Sequence, residues 1–575
     1  MLKSIAFAFK KLILLYIVLG FALQFATMYG VQTFQRLLDG VSAFSGLGEL
    51  RGLLLLYGIL LAASAVLSYA LEYPETALPK AIAERLKLLA LGRISRMDYR
   101  AYGNIGTGEL IQSIENGAQA GSGIVHGFYL RIFSELLPTL LFSLLFIGLY
   151  SPQIMWVIAG GYVAVFLLTR LLLRFLYSVK ESLLASQEKR SRYSVRGFME
   201  LVVFRLNRRY KREIEKLTGT AADIVRKNVR IRMIHESFFA IFELLVIGVK
   251  IAVLAIGITD IAAGRSTIGI TLALLLLIDK VYSPIAIFNV IYVDYKLDRL
   301  TYARFEREMD SPSDPNLDYG AEVTQIRGKI VFEQVSFGYG EGQSSLLRNV
   351  SFCLPAGSST AIVGLSGSGK STLVKLMLGL LKKDSGCLTI DGTDIDELKL
   401  DSLYAHLSYI SQDAPVFDDT VRVNLVFDET IDEAKLYEIL DDALLGDRVR
   451  SLPEGLDTQV GERGMKLSGG EKQRLAFARV LAQSRDMVVL DEPVSALDNI
   501  SERRVMQTVL DRFRGRTLIV VAHRLHAIRQ VDRILLMRGG ELVDQGGFEE
   551  LLERNAYFRE LWSKDSAENG ESIIL

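Results

Sequence analysis

Leu467-Ser468-Gly469-Gly470-Glu471 stands downstream of Gly364-Leu365-Ser366-Gly367-Ser368-Gly369-Lys370-Ser371 and shortly before Met487-Val488-Val489-Leu490-Asp491-Glu492. The second of these stretches has the form of a phosphate loop. Its glycines let backbone N–H groups converge on phosphate oxygens, with Lys370 supplying counter-charge and Ser371 a hydroxyl for magnesium. Thr360-Ala361-Ile362-Val363 reads as the buried strand that feeds the loop, and Thr372 begins the helix whose N-terminus faces the anion. The third stretch is a fully apolar strand that brings Asp491 and Glu492 to the end of a parallel sheet. A phosphate loop alone indicates only that a nucleoside triphosphate binds.

Around these motifs, composition sets limits. The chain has 575 residues, and its 66 Lys plus Arg balance 66 Asp plus Glu, so no global charge bias points to nucleic acid. Half of the residues are hydrophobic and mean hydropathy is positive, at +0.27, which for a chain of this size places part of it in lipid. The apolar runs crowd the first half. Two cysteines, Cys353 and Cys387, imply neither a disulfide framework nor a zinc site.

A bilayer-crossing helix takes about 20 mostly apolar residues. Six stretches satisfy this, near Leu12–Gln32, Gly52–Leu71, Ile132–Tyr150, Ile154–Leu173, Phe238–Thr259 and Thr267–Val290. The first is expected to be a retained span, because it is too long for a signal peptide and lacks a small-residue cleavage site. Lys and Arg collect after the second span (Lys80, Arg85, Lys87, Arg93, Arg96, Arg100) and after the fourth (Lys180, Lys189, Arg190, Arg192, Arg208, Arg209, Lys211, Arg212). Those connections are expected on the cytoplasmic side, with both termini and the nucleotide domain. The expected division is a helical membrane domain over 1–310, a Pro-containing linker over 311–327, an α/β P-loop domain over 328–562 and a tail over 563–575.

The Leu-Ser-Gly-Gly element after a phosphate loop resembles the signature of ATP-binding cassette (ABC) proteins, and six spans followed by one cassette resemble a half-transporter of the exporter type. The resemblance implies a six-helix membrane domain with long cytoplasmic extensions and an α/β ATPase domain, ATP and Mg2+ as cofactors, and a second half-transporter as partner, identical or not. It also implies a lipid bilayer around the spans, a transported substrate, and a place in a bacterial inner or plasma membrane. In the family, the segment Leu467–Glu471 closes over nucleotide held by the opposite subunit; Glu471 stands where glutamine is commoner. Gly364, Ser366, Gly367, Ser368, Gly369, Lys370, Ser371 and Thr372 would hold phosphates, and Tyr339 would stack on adenine.

Ser371, Gln412 and Asp491 would attend magnesium, Glu492 would polarise the attacking water, and His523 would be the switch histidine that contacts the γ-phosphate. Asp498, in Ser495-Ala496-Leu497-Asp498, matches the D-loop. Val460-Gly461-Glu462-Arg463-Gly464 resembles the cross-linking loop of exporter-type cassettes. Thr107–Asn116 resembles the first coupling segment, and Gly197–Leu201 more loosely the second. The function implied is ATP-driven transport, with export as the first reading and an exporter-like siderophore importer, which the motifs leave open, as the alternative. A soluble ABC ATPase that remodels nucleic acid or ribosomes is disfavoured by the six spans, since unsatisfied backbone and charge in lipid are costly.

Ionisable residues inside spans mark functional sites by default, as each costs about 2.5–3.5 kcal/mol at a helix centre. Glu243 and Lys250 share a face of the fifth span, and Asp279 on the antiparallel sixth falls near the depth of Lys250. Lys250 and Asp279 are expected to face a substrate path or each other, with Glu243 on the same wall.

Overall fold

The computed structural model describes the chain apart from residues 43–46, 200, 341–344, 428–430, 462–463, 494–498, 523 and 570–575, and apart from scattered helical side chains, most of them in Pro152–Met199. The chain divides into two compact units. One comprises Met1–Met97 with Ala101–Pro312, the other Ser313–Leu575 with Asp98–Arg100.

Among its described residues the first unit is built from helices and short connections. After a short helix at Leu2–Ala8 come Lys10–Ser42, Leu47–Ile94, a run from Thr107 to Tyr150 that passes through two π-helical stretches, Pro152–Met199, Tyr210–Ala262 and Ile268–Met309. Five of the six expected spans fall within one of these, and the sixth, Thr267–Val290, begins at the residue that caps Ile268–Met309. Four helical segments, Lys10–Val41, Gly48–Ile94, Leu110–Tyr150 and Tyr210–Ala262, are long and apolar enough among the described residues to cross a membrane. At 53 residues, Tyr210–Ala262 has a rise of about 80 Å, well beyond a hydrocarbon core of about 30 Å. Its surplus is the polar stretch that begins at Tyr210. Leu54, Leu55, Ile59 and Val66 on Leu47–Ile94 are exposed, an apolar surface of the kind that lipid covers.

Packing inside this unit accounts for one face of the expected coupling segment. The stretch expected to present a coupling surface, Thr107–Asn116, opens a 16-residue helix. Its Leu110 and Ile114 are buried with Leu86, Phe305 and Met309, and Ser113 and Glu115 bond to Glu308 and Lys87. Apolar residues four apart on one helix face were legible, but which neighbour would cover that face was not.

The second unit holds two sheets. β1 (Ile330–Phe337), β2 (Leu347–Leu354), β4 (Ser385–Ile390) and β5 (Thr393–Asp394) form an antiparallel sheet in the order β2-β1-β4-β5. The other contains β3 (Ser359–Val363), β6 (Leu407–Ile410), β7 (Met487–Asp491), β8 (Thr517–Val521), β9 (Arg533–Arg538) and β10 (Glu541–Gly546), in the order β10-β9-β3-β8-β7-β6. From β6 to β9 its pairs are parallel; only β10 runs the other way. Parallel strands are covered on both faces and so read as unbroken apolar runs. All five residues of β7 and of β8 are buried accordingly. Each fully buried aliphatic side chain contributes about 1.5–3 kcal/mol, so these strands form a rigid floor for whatever stands at their ends. The last helix, Ala556–Asn569, runs past Trp562, and its Asp565 and Ser566 are buried, so packed structure continues into the expected tail.

Candidate functional site

Strand order explains why motifs far apart in the chain meet. β3, β8, β7 and β6 are consecutive neighbours, and their carboxyl ends carry, in turn, the phosphate loop, Ala522, the Asp491-Glu492 pair and Gln412. Open α/β sheets place ligands outside these strand ends. The splay is limited by backbone bonds from one strand end to the next, Ala522 N–H to Ile362 O at 3.2 Å and Glu492 N–H to Val521 O at 3.1 Å.

The loop from Gly364 to Gly369 reverses the chain before the helix Lys370–Met377. Gly367 and Gly369 lie at φ +79° and +98°, a region that side chains rarely adopt. The Lys370 ammonium is buried and donates to the carbonyl oxygens of Gly364 and Leu365 at 2.9 and 3.1 Å. Burial pushes its pKa down, opposed by Glu492 and Asp491. The Ser371 hydroxyl donates to Asp491 Oδ1 at 3.3 Å. Burial raises the Asp491 carboxyl, the neighbouring Glu492 adds to the rise, and Ser371, Lys375 and Lys370 oppose it.

Glu492 adopts φ +50°, outside the ordinary range for a residue with a side chain, at a cost of about 1–3 kcal/mol. Its Oε2 accepts from Gln412 Nε2 at 2.6 Å, although Gln412 lies on a different strand end. Tyr339 keeps half of its surface exposed, with its hydroxyl 3.4 Å from Thr372 Oγ1 and its ring edge-on to Phe337. Ser366 is exposed at the turn of the loop. His523 and Asp498 lie outside the described residues, as do Glu462 and Arg463 of the cross-linking loop.

A polyanion and a hard cation fit these residues. Ser368 Oγ is buried without a hydrogen-bond partner, and the first N–H groups of a helix have no carbonyl of their own. An ammonium, a hydroxyl, an amide oxygen and a buried carboxylate converge beside them. Oxygen donors of this kind suit magnesium, which is bound by one or two carboxylates together with water and substrate phosphates.

The signature segment forms a separate prepared surface. Ser468 caps the helix Gly469–Gln483 in a reciprocal capping box: its Oγ accepts from Glu471 N–H at 3.3 Å, and its own N–H donates to Glu471 Oε2 at 2.7 Å. Arg448 Nε donates to Glu471 Oε1 at 2.9 Å. Burial would raise the Glu471 carboxyl, yet the bonds from Ser468 and Arg448 hold it below its ordinary value. The glutamate in place of the commoner glutamine therefore completes the cap with a charge suited to a helix N-terminus. Ser468 and Gly469 are exposed at the helix start, while Leu467 packs against the core. Arg448 escaped the sequence reading because no motif connects it to Glu471.

In the membrane unit Lys250 and Asp279 pair with each other at 2.6 Å, across the helices Tyr210–Ala262 and Ile268–Met309. Glu243 is exposed on the same helix as Lys250, one turn pair closer to its start.

Comparison with known proteins bears on the whole arrangement. Residues 13–284 match the ABC transporter transmembrane region, and residues 347–495 match the ABC transporter domain. The chain is an ABC half-transporter. Over its whole length the half-transporter has the exporter fold: a bacterial Atm1-family ABC exporter with ATP bound superposes with a TM-score of 0.83, covering 97% of this chain and 98% of that one at 24% identity. An ATP-dependent lipid A-core flippase of Burkholderia orbicola (strain AU 1054) is 36% identical over 54% of this chain and 52% of its own. The mitochondrial iron-sulfur clusters transporter ATM1 of Candida glabrata is 36% identical over 53% of this chain and 43% of its own. The half-transporter thus spans about half the length of the curated relatives it matches. Its transmembrane region and apolar helices make it an integral membrane protein, which removes the soluble ATPase reading.

Proposed function

We propose that this half-transporter hydrolyses ATP to drive export of a substrate across a membrane, as one half of a dimer whose second half is the same chain or a related one. The observation that carries the reading is the convergence of Lys370, Ser371, Asp491, Gln412 and Glu492 at adjacent strand ends, with Gln412 and Glu492 joined at 2.6 Å. In this reading Lys370 and the N–H groups of the loop neutralise phosphate oxygens, and the exposed ring of Tyr339 receives the adenine. Ser371, Asp491 and Gln412 would hold magnesium, which supplies charge neutralisation on the phosphates. Glu492 orients the attacking water and takes its proton. His523 contacts the terminal phosphate.

Ser468 and Gly469 bear on the partner. A capped helix start that is exposed within its own chain is a ready anion site for nucleotide held elsewhere, which is the reason to assign it to the opposite subunit's ATP. The Lys and Arg distribution favours a cytoplasmic cassette and termini, and the names of the bacterial relatives favour the inner membrane. Those names also favour export over import. The test is ATP hydrolysis by the purified full chain in proteoliposomes, with lipid A-core as the first cargo probe. Hydrolysis is expected with magnesium and to vanish with a chelator; hydrolysis undiminished by the chelator would refute the magnesium assignment.

We also place the Lys250–Asp279 pair on the substrate path. A charged pair inside a membrane unit is expensive unless water or a polar cargo shares it. Replacing either residue by alanine is expected to strand the other charge and to lower cargo-stimulated hydrolysis while basal hydrolysis stays within about twofold. The double replacement is expected to restore part of the loss, a non-additive outcome that marks direct coupling. Additive effects on cargo-stimulated hydrolysis would reject the pair, and unchanged stimulation in all three variants would take it off the path.

A further inference from the structure

One buried polar cluster in the cassette lies outside every motif discussed so far. Asp565, on the C-terminal helix Ala556–Asn569, is 8% exposed. Its Oδ2 accepts the N–H of Leu525 at 2.9 Å and of His526 at 3.2 Å, and lies 3.4 Å from His526 Nδ1. Leu525–Ile528 is a 3-10 turn whose own preceding residue, Arg524, gives it no side-chain cap. The leading N–H groups of such a turn lack carbonyl partners, so a carboxylate from a distant helix caps it.

The cluster is anchored on its other side. Glu502, wholly buried on the helix Asn499–Arg512, accepts from Arg524 Nη1 at 2.6 Å and faces His526 Nε2 at 3.8 Å. In the chain, Leu525 comes two residues after His523, and Asn499 directly after Asp498. The same C-terminal helix reaches a third segment, where the Tyr557 hydroxyl accepts from Leu365 N–H of the phosphate loop at 3.4 Å. Fully buried Phe558 and the ring of Trp562 both pack edge-on against Phe548, which sets the helix in place.

We infer that Asp565 is a positioning residue for ATP hydrolysis, through its grip on the backbone at Leu525 and His526, and that the C-terminal helix braces the exit of the switch-histidine segment against the phosphate loop. The inference rests on the proposed role of His523. Charge-assisted bonds to backbone N–H groups are short and directional, and they act here two residues from a side chain whose placement matters to within an ångström. Asp565 acts through the backbone that it holds at Leu525 and His526. Its contribution is to turnover, not to nucleotide affinity.

The experiment measures kcat and KM for ATP, together with Tm, on the full-length protein in lipid nanodiscs for Asp565→Ala, Asp565→Asn, His523→Ala and the double variant Asp565→Ala/His523→Ala. Asp565→Ala is expected to lower kcat about tenfold with KM within about twofold of the parent. Asp565→Asn keeps an oxygen that accepts both N–H groups and is expected to recover most of the turnover. On the His523→Ala background, Asp565→Ala is expected to add nothing.

Parent-like kcat in Asp565→Ala, beside a clear loss in His523→Ala, would overturn the brace and leave the histidine assignment standing. Full turnover in His523→Ala would overturn the histidine assignment itself, and with it the route assigned to Asp565. Equal losses in the alanine and asparagine variants, with Tm lowered in parallel, would reduce Asp565 to a structural residue and overturn the inference.

Discussion

Glu492→Gln is expected to lower ATP turnover by about a hundredfold or more while nucleotide still binds, the size of a typical general-base contribution. The substitution preserves shape, and the amide can still meet Gln412, which now bonds Oε2 at 2.6 Å. What it removes is the negative charge and the basic oxygen. Because Lys370 and Asp491 sense that charge, its loss also leaves the pocket more positive, so ATP is expected to bind at least as tightly as in the parent chain. Retained binding with lost turnover separates chemistry from affinity. Single-turnover hydrolysis and equilibrium binding on the same preparation check both halves, and near-normal turnover would remove Glu492 from its role.

Lys370→Ala is expected to fail at the earlier step. The ammonium holds two carbonyls of its own loop, Gly364 O and Leu365 O, and faces the strand end that bears Asp491 and Glu492. Hydrogen bonds that involve a charged group contribute about 1.5–3 kcal/mol each, so removing the lysine is expected to weaken ATP binding by about 10- to 100-fold. Hydrolysis should fall with it. Titration calorimetry of the full chain with ATP is the direct measurement, and an unchanged affinity would mean that the backbone N–H groups carry the phosphates without help. The contrast with Glu492→Gln is the informative part: one variant loses binding, the other keeps it.

Much of the proposed nucleotide site was legible because its residues are punctuated by what the sheet requires. Glycines that must take positive φ, Gly367 and Gly369, announce a loop; unbroken apolar runs such as Met487–Leu490 announce buried parallel strands; and polar residues directly after those runs fall at strand ends. Gln412 and Glu492 were each readable as strand-end residues, and the family resemblance supplied their neighbourhood. The Lys250–Asp279 pair was within reach for a related reason: two antiparallel spans of known length bring residues of similar depth together.

Other features depended on partners that local pattern does not encode. Leu110 and Ile114 have the spacing of a buried helix face whichever unit covers them, and the sequence held no means to choose Phe305 and Met309. Asp565 sits in Trp562-Ser563-Lys564-Asp565-Ser566, a polar stretch that reads as solvated tail until the helix that carries it is seen to fold back on the 3-10 turn at Leu525. Arg448 likewise looks like any surface arginine until Glu471 is beside it. Long-range side-chain partnerships of this kind leave no periodicity to detect.

The position of β6 has a mechanical consequence. β3, β8 and β7, which support the phosphate loop, Ala522 and Asp491, each have a hydrogen-bonded strand on both sides, whereas among the described residues β6 ends the sheet with a ladder to β7 only, beside one side-chain bond from Ser408 Oγ to Gln483 Oε1 at 3.0 Å. Displacing an edge strand breaks one ladder instead of two, so the arm that presents Gln412 is the compliant element of an otherwise stiff frame. The loop Gly364–Gly369 and the Asp491-Glu492 pair thereby stand on the stiffer part of the scaffold, and Gln412 on the part that can flex. A small excursion of Leu407–Ile410 would stretch or close the bond from Gln412 to Glu492 while leaving the loop Gly364–Gly369 undistorted, much as a key turns one lever of a lock whose body stays fixed.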